Sequence, residues 1–315
     1  MKLRVPDRRK LWGSNLCCYV TDVLTVGTGA WPAMWASWDW DNWIKPQIDY
    51  MIGNGVGCNA IRVQGAAYAV KNGTLDMAQY LARWSQLIEY CAQYDVHVYP
   101  CGCTIDTDTN INIPADQMGQ VFGQIFAHHQ QYDNVIGVDM IQETANWGAP
   151  TWTATIAKLA ALISVVKQCG VTLPITCSSS EFVDSGFPWV LEAAPYLDFI
   201  DIHCYYHTVP ADALDGILSA CQGKDIVVGE VGAEASWSTS AEQLRTIREV
   251  LNMANSGHPN VRGAFVWSST DPANPAVITG KAWGQYDYSK IPRIDRLQLM
   301  RRFTGGSIEK CSSVK

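Results

Sequence analysis

Apolar residues fall in short dense runs, separated by longer stretches in which they return every three or four positions. The runs occupy residues 15–20, 60–64, 96–101, 135–142, 173–178, 199–205, 226–230 and 263–267. Several are dense in Val, Ile and Cys with little polar alternation, the pattern of strands covered on both faces. Between the runs the period changes. Ile156, Leu159, Ala160, Ile163 and Val166 lie on one helical face, and Leu244, Ile247, Val250, Leu251 and Ala254 repeat the arrangement. Both segments are therefore predicted to be amphipathic helices.

Eight runs, each followed by room for a helix, predict alternating βα units and a parallel sheet with helical crossovers. Such units close into a (β/α)8 TIM barrel, a single α/β domain over residues 13–303, with a short basic arm (1–12) and a polar tail (304–315). An open doubly wound sheet is the rival arrangement. Against it, no Gly-x-Gly-x-x-Gly follows an early strand and no Gly-Lys-Ser/Thr phosphate loop occurs.

Composition narrows the chemistry. Charged residues make up 17% of the 315 residues, against roughly 25% in ordinary globular chains. The net charge is −7 with no long basic run, so the electrostatic footprint of a nucleic-acid binder is missing and a neutral partner fits better. No apolar stretch is long enough for a membrane span; the best candidate, 152–166, is broken by Thr153, Thr155, Lys158 and Ser164. The basic N-terminal residues Lys2, Arg4, Arg8, Arg9 and Lys10 are followed by Gly13-Ser14-Asn15 where a signal peptide needs an apolar segment. A cytoplasmic protein, a phage- or virion-associated one, or a trimmed secreted domain is expected. The eleven cysteines show no Cys-x-x-Cys spacing, so mostly free thiols are expected, with no metal and no cofactor. His203 and His207 have an i, i+4 spacing, but on a strand that separates them by about 13 Å.

In a βα barrel the active site gathers at the C-terminal ends of the strands, so polar residues that end apolar runs are the informative ones. Run 2 ends in Arg62-Val63-Gln64, run 4 in Gln142-Glu143, run 6 in His203-Cys204-Tyr205-Tyr206, run 7 in Gly229-Glu230 and run 8 in Trp267. Two carboxylates thus stand at the mouth. Breaking an acetal bond needs a proton donor on one side and a nucleophile or an activated water on the other, and a carboxyl pair supplies both. Glu181 and Glu234, just past runs 5 and 7, are alternatives for either role.

These motifs resemble the clan A glycoside hydrolases, and within them the cellulase and mannanase family numbered five. Asn59-Ala60-Ile61-Arg62-Val63 is similar to that family's second strand, residues 138–143 to the fourth with its acid/base glutamate, and His203-Cys204-Tyr205 to the sixth. Val228-Gly229-Glu230-Val231-Gly232 is similar to the nucleophile strand, and residues 264–267 to the eighth with its tryptophan. The resemblance implies a retaining β-glycosidase, endo-acting on a β-linked glycan, with Glu143 as acid/base and Glu230 as nucleophile. Arg62, Gln142, His203, Tyr205 and Trp267 support them, and Trp147 and Trp237 are further substrate contacts. Arg62 beside Glu230 would favour its ionised form, and the Glu230 charge would keep Glu143 protonated until Glu230 becomes an ester.

The chain departs from the family at three points. Gln142 stands where the family has an asparagine that binds the sugar 2-hydroxyl, Thr144 stands where a proline is usual, and run 3 ends in Pro100-Cys101-Gly102-Cys103 without the family's histidine. Those departures motivate a second expectation: a glycan-binding or virion or surface assembly protein on the same barrel with reduced turnover. Trp31, Trp35, Trp38, Trp40 and Trp43 crowd the segment after run 1, where they suit either glycan stacking or the packing of a helix on the barrel. Sugar identity, linkage and oligomeric state are left open by the sequence.

Overall fold

The computed structural model describes residues 2–6, 9–18, 30–52, 56–103, 114–144, 152–179, 187–205, 216, 219, 221, 223–233, 239–269, 271, 285 and 293–305; of 30–33, 152–154 and 187–188 only the backbone is described. Eight parallel strands form one sheet in the order β5-β4-β3-β2-β1-β8-β7-β6. They are β1 Leu11–Asn15, β2 Ala60–Gln64, β3 His97–Cys101, β4 Val138–Asp139, β5 Ile175–Thr176, β6 Ile200–Tyr205, β7 Ile226–Gly232 and β8 Val261–Val266. The two ends of this order meet: Ser179 N–H donates to the Asp201 carbonyl at 3.1 Å, and Asp198 N–H to the Ile175 carbonyl at 2.8 Å. The result is the expected (β/α)8 barrel.

Helices surround it: α1 Ala30–Ser37, α2 Lys45–Met51, α3 Ala67–Lys71, α4 Met77–Ala92, α5 Ala115–His129, α6 Trp152–Gln168, α7 Phe187–Ala193, α8 Ser240–Asn255 and α9 Ile294–Thr304. The two helices predicted from period fall in α6 and α8. In α8 the buried residues include Ile247, Val250, Leu251 and Ala254, and a capping box closes the first turn, with Thr239 and Glu242 satisfying each other's backbone N–H.

Strand alternation sorts the side chains into two cores. Ile61, Val63, Ile200, Ile202 and Val228 point outward into the large cluster under the helices. Leu11, Ala60, Tyr99, Phe199, Val227 and Phe265 point inward and meet Ile136 and Leu3 in a second cluster, which fills the lower barrel. Residues 2–6 belong to this base: Leu3 N–H donates to Asp225 Oδ2 at 3.0 Å and Arg4 N–H to the Ile136 carbonyl at 2.8 Å.

The first strand lies earlier than the run predicted at 15–20. Leu11–Asn15 pairs with both β2 and β8, with Gly13 opposite Ala60 and Phe265. The apolar Leu16-Cys17-Cys18 beyond it is buried, but Cys17 N–H turns to the Gln47 and Ser269 side chains. Burial there comes from the seam between barrel and helices, which apolar density alone cannot tell from a strand. The tryptophans after β1 pack inward: Trp35 is buried, contacts Trp38, Tyr80 and Trp84, and donates to the Gln64 carbonyl. Trp43 is likewise buried. Helix packing, rather than glycan stacking, accounts for this pair.

Gly263 has φ 149° and faces the Leu11 backbone, with which an added Cβ would collide. Gly263→Ala is therefore expected to lower unfolding free energy by more than about 2 kcal/mol, since neither neighbouring backbone can yield. Gly257→Ala, at a positive φ in open space, should cost only about 1 kcal/mol. Urea denaturation of the two variants measures both, and equal costs would contradict the steric account.

Candidate active site

Above the apolar base the barrel interior becomes charged. Arg62, inward on β2, is fully buried. Its Nη1 donates to Glu230 Oε1 at 2.6 Å and to Asn15 Oδ1 at 2.9 Å, and its Nη2 to Asp139 Oδ2 at 2.6 Å. Asp201 Oδ2 lies 3.9 Å from Nε. Burial opposes a charged guanidinium, yet Glu230 and Asp139 outweigh it and hold the Arg62 pKa well above its ordinary value. The expected neighbourhood of Arg62 and Glu230 is thus present.

Glu230 reaches the interior through an irregularity. Along β7, Val227 faces in and Val228 out, so strict alternation would send Glu230 outward with Val228. Instead the β6–β7 register slips: Ile202 opposes Val228, but His203 opposes Glu230. Gly229 is the extra residue of this bulge, which turns Glu230 inward. A side chain at Gly229 would strike the Asp201 carboxylate, whose Oδ1 accepts Gly229 N–H at 2.7 Å. The bulge and its anchor are one device.

Glu143 is placed by a different departure. β4 ends at Asp139, and Glu143 sits at φ 52°, the left-handed region that L-residues enter at a cost of about 1–2 kcal/mol. Ser178 holds it there: its Oγ accepts Glu143 N–H at 2.9 Å, and its carbonyl accepts Thr144 N–H at 3.0 Å. Strain retained against such anchors is a feature of functional positions.

The strand-end residues converge. Tyr205 donates to Glu230 Oε2, and burial together with the Glu230 and Glu143 charges keeps this phenol protonated, its pKa well above 10. His203 Nδ1 lies 2.9 Å from Glu143 Oε1 and 3.6 Å from Glu230 Oε2. Burial opposes a charged ring, but Glu230, the Glu143 hydrogen bond and Asp201 overcome it and push the pKa up to about 9. One oxygen from each glutamate and one His203 nitrogen all lie within 4.8 Å of one another. Gln142 Nε2 donates to Glu230 Oε1 at 2.8 Å. Trp267 ends β8, nearly buried, with its N–H on the Val231 carbonyl at 2.8 Å. Trp147, Trp237, Glu181, Glu234 and His207 lie outside the described residues.

Sequence reasoning missed Asn15, Gln64, Asp139 and Asp201. The two aspartates had a signal, a lone charge inside an apolar strand run, which is rarely buried without a partner. Asp139, Asp201 and His203 form a further group with ligand-like spacing, but Arg62 already occupies the Asp139 carboxylate. The described cysteines are free thiols, and burial raises the pKa of Cys18, Cys101, Cys103 and Cys177, which makes them poor nucleophiles.

No protein-family model matches the chain, and no curated protein is similar to it in sequence. Solved structures do share its fold. The exo-β-1,4-mannosidase Op5Man5 from Opitutaceae bacterium strain TAV5 superposes with a TM-score of 0.71 at 15% identity, over 95% of this chain and 60% of that one. The chain thus spans well under two thirds of that protein. A GH5_18 protein from Bifidobacterium longum subsp. infantis gives 0.71 at 14% identity, over 97% and 79% of the two chains. A GH5_18 protein from Bifidobacterium longum subsp. longum, solved with Manβ1-4GlcNAc, gives 0.69 at 12% identity, over 94% and 78%. The structural neighbours include GH5_18 proteins and a β-mannosidase, and the shared property at this identity is the barrel.

The raised His203 pKa has a consequence for stability. A histidine whose folded value is about 9 against 6.5 when free favours the folded state fully below pH 6.5. That contribution is lost as pH rises through 9. Unfolding free energy should fall between pH 6.5 and 9.5, and His203→Asn should flatten this slope. A variant with the wild-type slope would place the titration elsewhere.

Proposed function

We propose that the chain is a glycoside hydrolase that cleaves β-glycosidic bonds of an oligo- or polysaccharide with net retention, by double displacement between Glu230 and Glu143. The observation that carries this reading is the approach of the two carboxylates, with oxygens within 4.8 Å of each other beside His203. Retaining enzymes hold their carboxyl groups about 5–5.5 Å apart, whereas inverting ones leave about 6.5–9.5 Å for a water. So close an approach of one oxygen from each favours the retaining spacing over the inverting one. The β-mannosidase and β-glucosidase names among the neighbours support a β-mannoside or β-glucoside as the bond cleaved.

In the first step a Glu230 oxygen forms a bond to the anomeric carbon. The bond to the leaving oxygen breaks, and that oxygen takes the proton of Glu143. Arg62 and Tyr205 hold Glu230 in place. His203 orients Glu143. In the second step Glu143 removes a proton from water, the water oxygen attacks the anomeric carbon, and Glu230 leaves as carboxylate. Trp267, directly after β8, is the proposed aromatic floor of the site. Endo action is part of the proposal and is read from product lengths on a soluble β-1,4-mannan or glucan.

The other reading, a glycan-binding protein without turnover, draws on the engaged Gln142 amide. A 2-fluoro glycoside separates the two, because a covalent adduct on Glu230 requires working chemistry.

Glu230→Ala is expected to abolish hydrolysis, and azide should restore activity on an activated aryl glycoside with an inverted glycosyl azide as product. Glu143→Ala should lose about 10²–10⁴-fold in rate on poor leaving groups, and azide should then give the retained product. Anomeric NMR of both reactions checks the assignment, and exchanged stereochemical outcomes would reverse the roles.

A further inference from the structure

The residue before Glu143 is Gln142, one methylene longer than the asparagine of the resembling family, and its amide is fully engaged. Nε2 donates to Glu230 Oε1 at 2.8 Å, and Oε1 accepts from Gln64 Nε2 at 2.5 Å. Gln64 Nε2 also lies 3.4 Å from Glu230 Oε1. Both glutamines are buried, at 1% and 7% exposure for Gln64 and Gln142.

A carboxamide can sit either way round, and here each flip has a clear penalty. Turning Gln142 alone would set its carbonyl 2.8 Å from a carboxylate oxygen. Turning Gln64 alone would set two carbonyl oxygens 2.5 Å apart. The polarity therefore runs one way, donors toward Glu230. It leaves Gln64 Oε1 buried without a partner among the described residues, a state that costs about 1–3 kcal/mol. An apolar residue of the same size would remove that cost but orphan Gln142 Oε1 in its place, so glutamine at 64 brings little net stability.

The two Glu230 oxygens also differ. Oε1 carries Arg62, Gln142 and Gln64, whereas Oε2 carries Tyr205 and faces His203 and, beyond it, Glu143. We propose, resting on the glycosidase reading above, that Gln64 is a positioning residue: by fixing the Gln142 amide it holds Glu230 Oε1 as the future ester carbonyl and presents Oε2 for attack. When Oε2 bonds to the anomeric carbon, the carboxylate charge is discharged as the leaving oxygen takes the Glu143 proton. Neutral amide donors fit both the carboxylate and the ester carbonyl that replaces it.

Gln64→Met keeps length and volume but removes the donor and the orphan acceptor, and Gln64→Leu serves as a second variant should the first fold poorly. The Gln64 carbonyl contacts with Trp35 and Cys18 are backbone contacts and persist. The expected result is a Tm little changed, since one orphaned acceptor replaces another, with kcat at least about tenfold lower on an aryl β-glycoside and KM little changed, as for a misaligned reacting group. Gln64→Met combined with Gln142→Met should be no slower than Gln142→Met alone; multiplying penalties, or full activity of Gln64→Met, would overturn the proposal. A readout free of turnover is the solvent exchange of the Gln142 side-chain amide protons by 15N NMR. They should be protected in the wild type and exposed in Gln64→Met. If the wild type hydrolyses no β-glycoside, the functional reading fails by itself, and unchanged protection in Gln64→Met would overturn the positioning role independently.

Discussion

A guanidinium with no access to water sets the terms for everything above it. Arg62 cannot lose its proton, and taking an ion of this size out of water costs several kcal/mol even after relaxation. The fold can therefore place it inside the barrel only where carboxylates and an amide meet it in hydrogen-bonding geometry. Asn15 from β1, Asp139 from β4 and Glu230 from β7 do so. One side chain thereby fixes the height and rotation of four strands relative to one another, and the residues one layer higher inherit that alignment.

The same requirement creates an imbalance that the site uses. Asp139, Asp201 and Glu230 gather around a single permanent cation, and Glu143 joins the group through His203. The Glu230 and Asp201 charges and the Glu143 hydrogen bond overcome the burial of His203 and draw its pKa up to about 9, while burial raises Asp201 to about 6 against the opposing pull of His203 and Arg62. Tyr99 and the Gly229 backbone N–H satisfy the two oxygens of Asp201. The layer below the mouth is thus an electrostatic frame whose second cation is the His203 imidazolium, set between Glu143 and Glu230.

Much of this was legible in the chain itself. Runs ending in Arg62, His203 and Tyr205 fell in real strands, because alternation along β2 and β6 is regular and sends every second residue inward. The first strand was displaced, since Leu16, Cys17 and Cys18 are apolar for a reason unrelated to sheet pairing. The buried partners of Arg62 were hidden because pairing across the barrel depends on the height of each strand, and sequence order carries no height. Gln64 carried only the strand-end signal and Asn15 was read as the start of a run: an uncharged amide at a strand end looks the same whether it faces solvent or a carboxylate.

The hardest features to read were those that aim the two glutamates. Regular geometry would turn Glu230 out of the barrel, and no regular strand leaves Glu143 at a positive φ. Each exception is tied to a specific neighbour, the Asp201 carboxylate for the bulge and Ser178 for the left-handed residue. These neighbours are connected in turn, because Ser178 N–H donates to Asp139 at 2.9 Å and Asp139 is held by Arg62. Local rules fail where the chemistry sits because the backbone there answers to a long-range polar network, not to its own propensity. A bare count of strand-end acids finds two glutamates that meet here, but only because that network bends the strands to bring them together.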